Sequence, residues 1–131
     1  MLTLALLAPA LVFAPCEVRV IDGDTLRARG EAYRLVGVDA PEVSRAACPA
    51  ERRAGEAAAK RVRELIDSTA SIEIAPAHNP RGRKIWPRDR YGRRLARVQL
   101  EGRDLGEALI VEGHAAPWSR ANQKNWCEDA R

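Results

Sequence analysis

The sequence predicts an α+β fold, mainly β, with five strands, one helix between the third and fourth strands and a second helix after the fifth. Three observations carry that expectation. Short runs of alternating apolar and polar residues recur, cut by Asp-Gly, Gly-Glu and Glu-Gly turn signals. One longer stretch repeats its apolar residues at helical spacing instead. The 131 residues, 46% apolar and 31% charged, suit one domain with a single core.

Each element follows from its residues. Glu17–Asp22 alternates with Val18 and Val20 on one side, as a half-buried strand does. Asp22-Gly23 turns the chain, Thr25–Arg29 resumes the alternation, and Gly30-Glu31 reverses it again. Tyr33–Asp39 is a third, more buried strand, stopped at Ala40-Pro41 because proline cannot donate to a ladder. Pro49 suits a first helical turn, and Ala54, Ala58, Val62, Leu65 and Ile66 follow on one face. Ser71–Ala75 is the fourth strand, Pro76–Arg90 a loop, and Leu95–Leu100 the fifth strand. Asp104 and Glu107 open a second helix like a capping box, and Gly113 closes it. The tail beyond Pro117 is polar, with room for one more short helical turn. The order β-β-β-α-β-β-α matches the layout of an OB-fold barrel.

The first fifteen residues stand apart. Met1–Ala14 carries no charged side chain and the first one is Glu17. The run is too short to span a bilayer as a helix, and its length suits a signal-peptide core. It lacks a basic residue ahead of the core, and Pro15 follows the candidate cleavage point at Ala14; Ala8-Pro9-Ala10 offers another. The expectation is a leader over 1–15 and a folded domain over 16–131, placing the protein outside the cytoplasm, secreted or periplasmic. A mis-assigned start or a buried N-terminal segment is the alternative, and would leave it cytoplasmic. Cys16, Cys48 and Cys127 form no CxxC pair, which argues against zinc. In an exported chain Cys48 pairs with Cys127; otherwise all three are thiols.

The formal charge of +4 and a pI near 9.3 favour polyanionic partners such as nucleic acid. Nineteen arginines against three lysines can also reflect coding bias, so charge alone decides little.

More specific chemistry lies in three blocks. Cleaving a phosphodiester requires neutralising the non-bridging oxygens, deprotonating a water and holding both in line with phosphorus. Carboxylates that hold a hard cation, and arginines that grip phosphate oxygens in pairs, meet those needs. The blocks are Val20–Thr25, with two acids flanking a turn glycine; Arg34–Glu42, with an arginine inside an apolar strand and acids on either side of Ala40-Pro41; and Asp89–Ala96. An arginine amid Tyr33, Leu35, Val36 and Val38 is costly unless it meets an anion.

IDGDT, then RLVGVDAPE, then DRYGRRLA, with DLGEALIVEGHA trailing, resembles the staphylococcal nuclease family from about Val18 to Gly113. The resemblance implies that Asp24, Asp39 and the backbone carbonyl of Ala40 hold one calcium ion. It implies that Glu42 activates or orients the attacking water, and that Arg34 and Arg93 bind the phosphate and stabilise the transition state. It further implies cleavage of DNA and RNA with low sequence specificity, leaving 3′-phosphate ends. Asp22 is read as a turn residue, and His78 and His114 as non-catalytic. The basic run of Arg81, Arg83, Lys84, Arg88, Arg90 and Arg94 reads as a solvated loop making non-specific phosphate contacts. Tyr91, Arg90, Arg94 and Trp118 are candidate nucleic-acid contacts. Tyr91 can line the site or pack beside the strand, and Trp118 can stack on a base or plug the barrel.

The expected partner is a DNA or RNA substrate, bound by a monomer with no membrane span. The rival reading is an OB-fold module that holds single-stranded nucleic acid without cutting it. Five intact site side chains and only 5% aromatic residues favour the enzyme.

Overall fold

A computed structural model of the protein describes residues 10–77, 86–121 and 123–128. The strands are β1 (Leu11–Phe13), β2 (Val18–Asp22), β3 (Thr25–Ala28), β4 (Glu31–Leu35), β5 (Val38–Asp39), β6 (Ile72–Pro76), β7 (Arg94–Leu100), β8 (Arg103–Asp104) and β9 (Ala116–Pro117). The helices are α1 (Pro49–Asp67) and α2 (Leu105–Val111). One curled, half-barrel sheet runs β1-β6-β7-β4-β3-β2, with β8 on β7, and β5 and β9 form a separate ladder. Every pairing is antiparallel except β4 with β7, where Arg34 lies opposite Leu95. Mainly β with two helices is the expected class.

Two differences from the sequence reading have physical causes. The expected third strand breaks in two at Gly37, whose φ of +80° turns β5 out of the sheet toward β9. The strand count therefore exceeds five, and short pieces join at the edges. β1 is one of them. Leu11–Phe13 pairs with Ile72–Ile74, and Phe13 is buried against Tyr33 with ring centroids 6.3 Å apart. Three residues of the 1–15 segment, Leu11–Phe13, thus pair with the sheet. No described helix is long and apolar enough to cross a membrane.

The core fills the inside of the curl. Leu26, Tyr33, Leu35, Ile74 and Val98 from the sheet meet Val62 and Ile66 of α1 and Leu105 and Leu109 of α2. Burying side chains of this size gives roughly 1.5–3 kcal/mol each before entropy is counted. α2 starts as its sequence predicts, with Asp104 accepting from the Glu107 amide at 2.9 Å. α1 starts at Pro49, and its N-cap Cys48 is disulfide-bonded to Cys127 while Cys16 is free and exposed. That bond pins the tail beside the first turn of α1. The tail holds a turn at Trp126–Glu128, with Asn125 Oδ1 accepting the Cys127 and Glu128 amides, where a helical turn was expected.

Candidate active site

Asp24 is the joint of the site. It follows the Gly23 turn, where an added Cβ would lie 3.0 Å from the Cβ atoms of Ala40 and of Ala58. The turn therefore packs closely under the end of β5 and against α1. Asp24 is almost fully buried, yet it is well partnered. Oδ1 accepts from the Thr25 hydroxyl at 3.1 Å, and Oδ2 accepts from the Ala40 amide at 2.9 Å. Oδ2 also lies 3.3 Å from the Arg34 guanidinium, so the arginine that looked misplaced in an apolar strand has its anion. Arg34 donates as well to the Leu35 carbonyl.

Glu42 is held through its backbone as well as its side chain. Its amide donates to Glu51 Oε2 at 3.0 Å, and the Ala47 amide donates to Glu51 Oε1 at 2.9 Å. Glu51, in the first turn of α1, thus fastens both ends of the loop. Gly55 completes the fit, since a Cβ there would come within 2.5 Å of the Glu42 carbonyl oxygen. Asp22 accepts the Val43 amide at 3.2 Å and shares a side-chain hydrogen bond with Glu42.

These acids hinder one another's ionisation. Burial first, then repulsion from Asp24, pushes the Asp39 carboxyl above its ordinary range, with Arg34 opposing. Burial, followed by Asp22, Asp24 and Glu51, pushes Glu42 upward. Asp22 is raised by burial and Asp24, against the Val43 hydrogen bond and the charge of Arg93.

Arg93 approaches from the opposite side. Its Nε donates to Asp89 Oδ2 at 2.6 Å and its backbone amide to Oδ1 at 3.0 Å. Its remaining end reaches Thr25 Oγ1 at 3.4 Å, so Thr25 links Arg93 to Asp24. Gly92, at φ +82°, makes the turn that aims this side chain. At Asp89 burial raises the pKa, but the Arg93 and Tyr91 hydrogen bonds outweigh it, and the carboxyl is lowered overall.

Three open grooves meet on these residues. The first, about 570 Å³, is lined by Asp22, Thr25, Glu42 and Arg93 at its inner end. The second, about 560 Å³, runs past Arg34, Arg93, Tyr91, Arg90 and Trp118. The third, about 410 Å³, lies between Asp39, Ala40, Glu42 and Glu51 and the tail segment Gln123–Cys127.

Arg34, Asp39, Glu42 and Arg93 therefore each line at least one of these grooves, and Asp24 lies buried behind them, joined through Thr25, Ala40 and Arg34. Tyr91 stands exposed on the rim between the first two grooves, beneath Arg90 at 4.9 Å and Arg93 at 5.4 Å. Trp118 is half-exposed on the second groove, with its amide donating to the Gly37 carbonyl at 3.0 Å; it does not plug the barrel. Arg94 goes elsewhere. It donates to the Tyr33 hydroxyl at 3.1 Å, meets Glu31 at 3.4 Å and lies 5.1 Å over Trp86, lining none of the grooves. His114 caps the end of α2, donating its amide to Leu109 O. His78, Arg81, Arg83 and Lys84 lie outside the described residues. Among the described residues no three of His, Cys, Asp and Glu converge as a preformed metal-ligand set.

The family model described as staphylococcal nuclease homologue matches residues 32–130. The chain belongs to the staphylococcal nuclease family. Its relatives include the succinoglycan biosynthesis protein ExoI of Rhizobium meliloti, 35% identical over 76% of this chain and 49% of the relative. The endonuclease YncB of Bacillus subtilis is 34% identical over 74% of this chain and 44% of its own length. The thermonuclease of Staphylococcus hyicus is 33% identical over 82% and 61%. The chain thus spans about half the length of these relatives.

Sequence reasoning passed over four members of this staphylococcal nuclease site: Asp22, Thr25, Glu51 and Asp89. Glu51 had a signal, an acid two residues after Pro49 in a helix first turn. Asp22 had the opposite signal, because Asp before Gly reads as a turn.

Proposed function

We propose that this protein is a nuclease that hydrolyses phosphodiester bonds of DNA or RNA with low sequence specificity. The observation that carries the reading is the meeting of Asp24, Asp39, Glu42, Arg34 and Arg93, from four separate chain segments, around one open junction. The names of two relatives, an endonuclease and a thermonuclease, support it.

The donor chemistry fits a hard divalent cation, calcium by family. Asp24 and Asp39 repel each other, and Asp39 has no hydrogen-bond donor among the described residues. Two such carboxylates with the Ala40 carbonyl are oxygen ligands of the hard-cation type. When bound, the ion supplies charge neutralisation at a phosphate oxygen.

The chain's own residues do the remainder. Arg34 and Arg93 are each held by a carboxylate, and each can exchange that carboxylate for phosphate oxygens while keeping its orientation. Burial and the neighbouring acids raise the Glu42 pKa above the ordinary carboxylate range, the direction that strengthens a base toward water. Cleavage toward a 3′-phosphate, as the family resemblance implies, has the 5′ oxygen leave. The Cys48–Cys127 bond supports export to an oxidising compartment. Leader removal after Ala8-Pro9-Ala10 would spare β1, whereas removal after Ala14 would cost the core Phe13. We propose a monomer.

The test uses purified protein with single-stranded DNA, duplex DNA and RNA, with calcium or chelator, beside Glu42→Gln. We expect chelator-sensitive cleavage that falls by about 10²–10⁴-fold in the variant, since the amide cannot act as a base. Equal cleavage by both proteins removes Glu42 from the mechanism. Tight binding without cleavage by the parent protein favours the binding module.

A further inference from the structure

The first groove does not end at the catalytic junction. From Asp22, Glu42 and Arg93 it continues along the outer face of β2 and β3, where Arg27 and Arg45 line it. Arg27, on β3, is in direct cross-strand register with Arg19 on β2, and all three arginines are exposed. Like charges directly opposite on an antiparallel pair destabilise the sheet. An anion lying across the pair would turn that repulsion into attraction.

The charge is also uncompensated. Arg29, Arg34, Arg88, Arg93 and Arg94 each hold a carboxylate within 4 Å. Among the described residues Arg19, Arg27 and Arg45 hold none, and Arg27 makes only a long hydrogen bond, 3.4 Å, to the Gly30 carbonyl. Besides Asp22 and Glu42 at the inner end, the groove holds one acid, Glu31, which is engaged by Arg88 at 3.1 Å and Arg94 at 3.4 Å and meets Arg27 only through the field of its charge. The second groove differs in kind. The two grooves share Tyr91 at the junction; beyond it the second adds Trp118, a flat surface suited to bases, whereas the first adds the guanidinium groups of Arg27 and Arg45.

We infer that Arg45, Arg27 and Arg19 form a track for the backbone phosphates of the substrate strand. They hold the stretch that flanks the reacting phosphodiester on the side away from Trp118. The substrate of this site is then a polymer several nucleotides long that extends past the junction along β2 and β3. This inference rests on the nuclease reading for its biological meaning, but its test does not.

The test combines Arg19→Gln, Arg27→Gln and Arg45→Gln in a Glu42→Gln background and measures binding to a fluorescent 12-nucleotide thymidine oligomer from 50 to 300 mM salt. The background prevents turnover, so failure of the protein to cleave leaves this measurement intact. Each single-strand phosphate contact contributes about 0.7 to the slope of log affinity against log salt. Loss of three contacts is expected to flatten the slope by about 2 and weaken binding by about tenfold or more at 0.1 M salt. The penalty is expected to shrink as the oligomer is shortened toward two nucleotides. With Glu42 restored, the triple variant should show the loss in KM for the 12-mer far more than in kcat. An unchanged salt slope, or a penalty as large on the dinucleotide as on the 12-mer, overturns the track. A normal slope change in a protein that never cleaves upholds the track and overturns the nuclease reading alone.

Discussion

The two halves of the cleft solve the problem of buried charge in opposite ways. On the arginine side, Arg34 is neutralised by Asp24 and Arg93 by Asp89, and each carboxylate also accepts backbone amides. On the acid side, Asp22 is buried and Asp39 and Glu42 are partly so, no cation among the described residues lies within 4 Å of them, and each is pushed toward its neutral form. The arginine half is at rest without substrate. The acid half is held under repulsion by the fold. A site designed only for stability would have spread the acids apart; one that must receive positive charge and move a proton keeps them together.

The arginine half is where the largest single-residue loss is expected after Glu42. Arg93→Lys keeps the charge but removes the planar fork and Nε, which now meets Asp89 at 2.6 Å. Lysine can reach either Asp89 or a phosphate oxygen, not both with fixed geometry. A loss of roughly 10²-fold in kcat is expected, about the size of one transition-state donor, with KM changed less. Steady-state kinetics on a single-stranded oligomer decides it; a kcat within threefold of the parent would remove Arg93 from the transition state.

The contrast also explains what could be read in the sequence. Residues whose neighbours are set by local pattern were legible: Arg34 within an apolar strand, Asp39 and Glu42 around Ala40-Pro41, Asp104 as a helix cap. Residues whose role depends on contacts between distant segments were not. Asp22 looks like a turn residue until Val43 and Glu42, twenty positions away, fold against it. Arg93 and Arg94 are identical side chains one position apart, and only the passage from the Gly92 turn into β7 sends one to the cleft and the other to Tyr33 and Trp86. β1 hid for another reason. Leu11–Phe13 is apolar throughout, so a three-residue edge strand inside a leader-like stretch carries no period of its own.

Asp89 tests the resting side directly. It accepts three short hydrogen bonds, from Arg93 Nε, the Arg93 amide and the Tyr91 amide at 2.6, 3.0 and 2.9 Å. Asp89→Asn leaves a half-buried guanidinium without its anion, and a loss of about 1.5–3 kcal/mol is expected at neutral pH. Because the folded carboxyl titrates below its unfolded value, this contribution is present above about pH 3.9 and is lost as pH falls through the folded pKa. Denaturant unfolding at pH 7 and pH 3 should show the gap between variant and parent closing at the lower pH.

Asp22 tests the strained side, and the sign reverses. Its folded pKa is raised, so its stabilising contribution is full below about pH 3.9 and is lost as pH rises through the folded value. At pH 7 the ionised carboxylate therefore works against the fold, facing Asp24 and Glu42 with only Arg93 and the Val43 amide to offset them. Asp22→Asn keeps the acceptor for Val43 and gives Glu42 a donor, while removing the charge. The expected gain at pH 7 is small, on the order of 0.5 kcal/mol, because the charge of Arg93 and the Val43 amide already offset much of the repulsion. It should fade toward pH 3.5, where the parent carboxyl is itself neutral. Thermal midpoints across that range measure it. A variant destabilised equally at both pH values would mean that Asp22 is a structural acceptor whose charge the fold has already absorbed, and the two halves of the cleft would no longer differ in the way proposed.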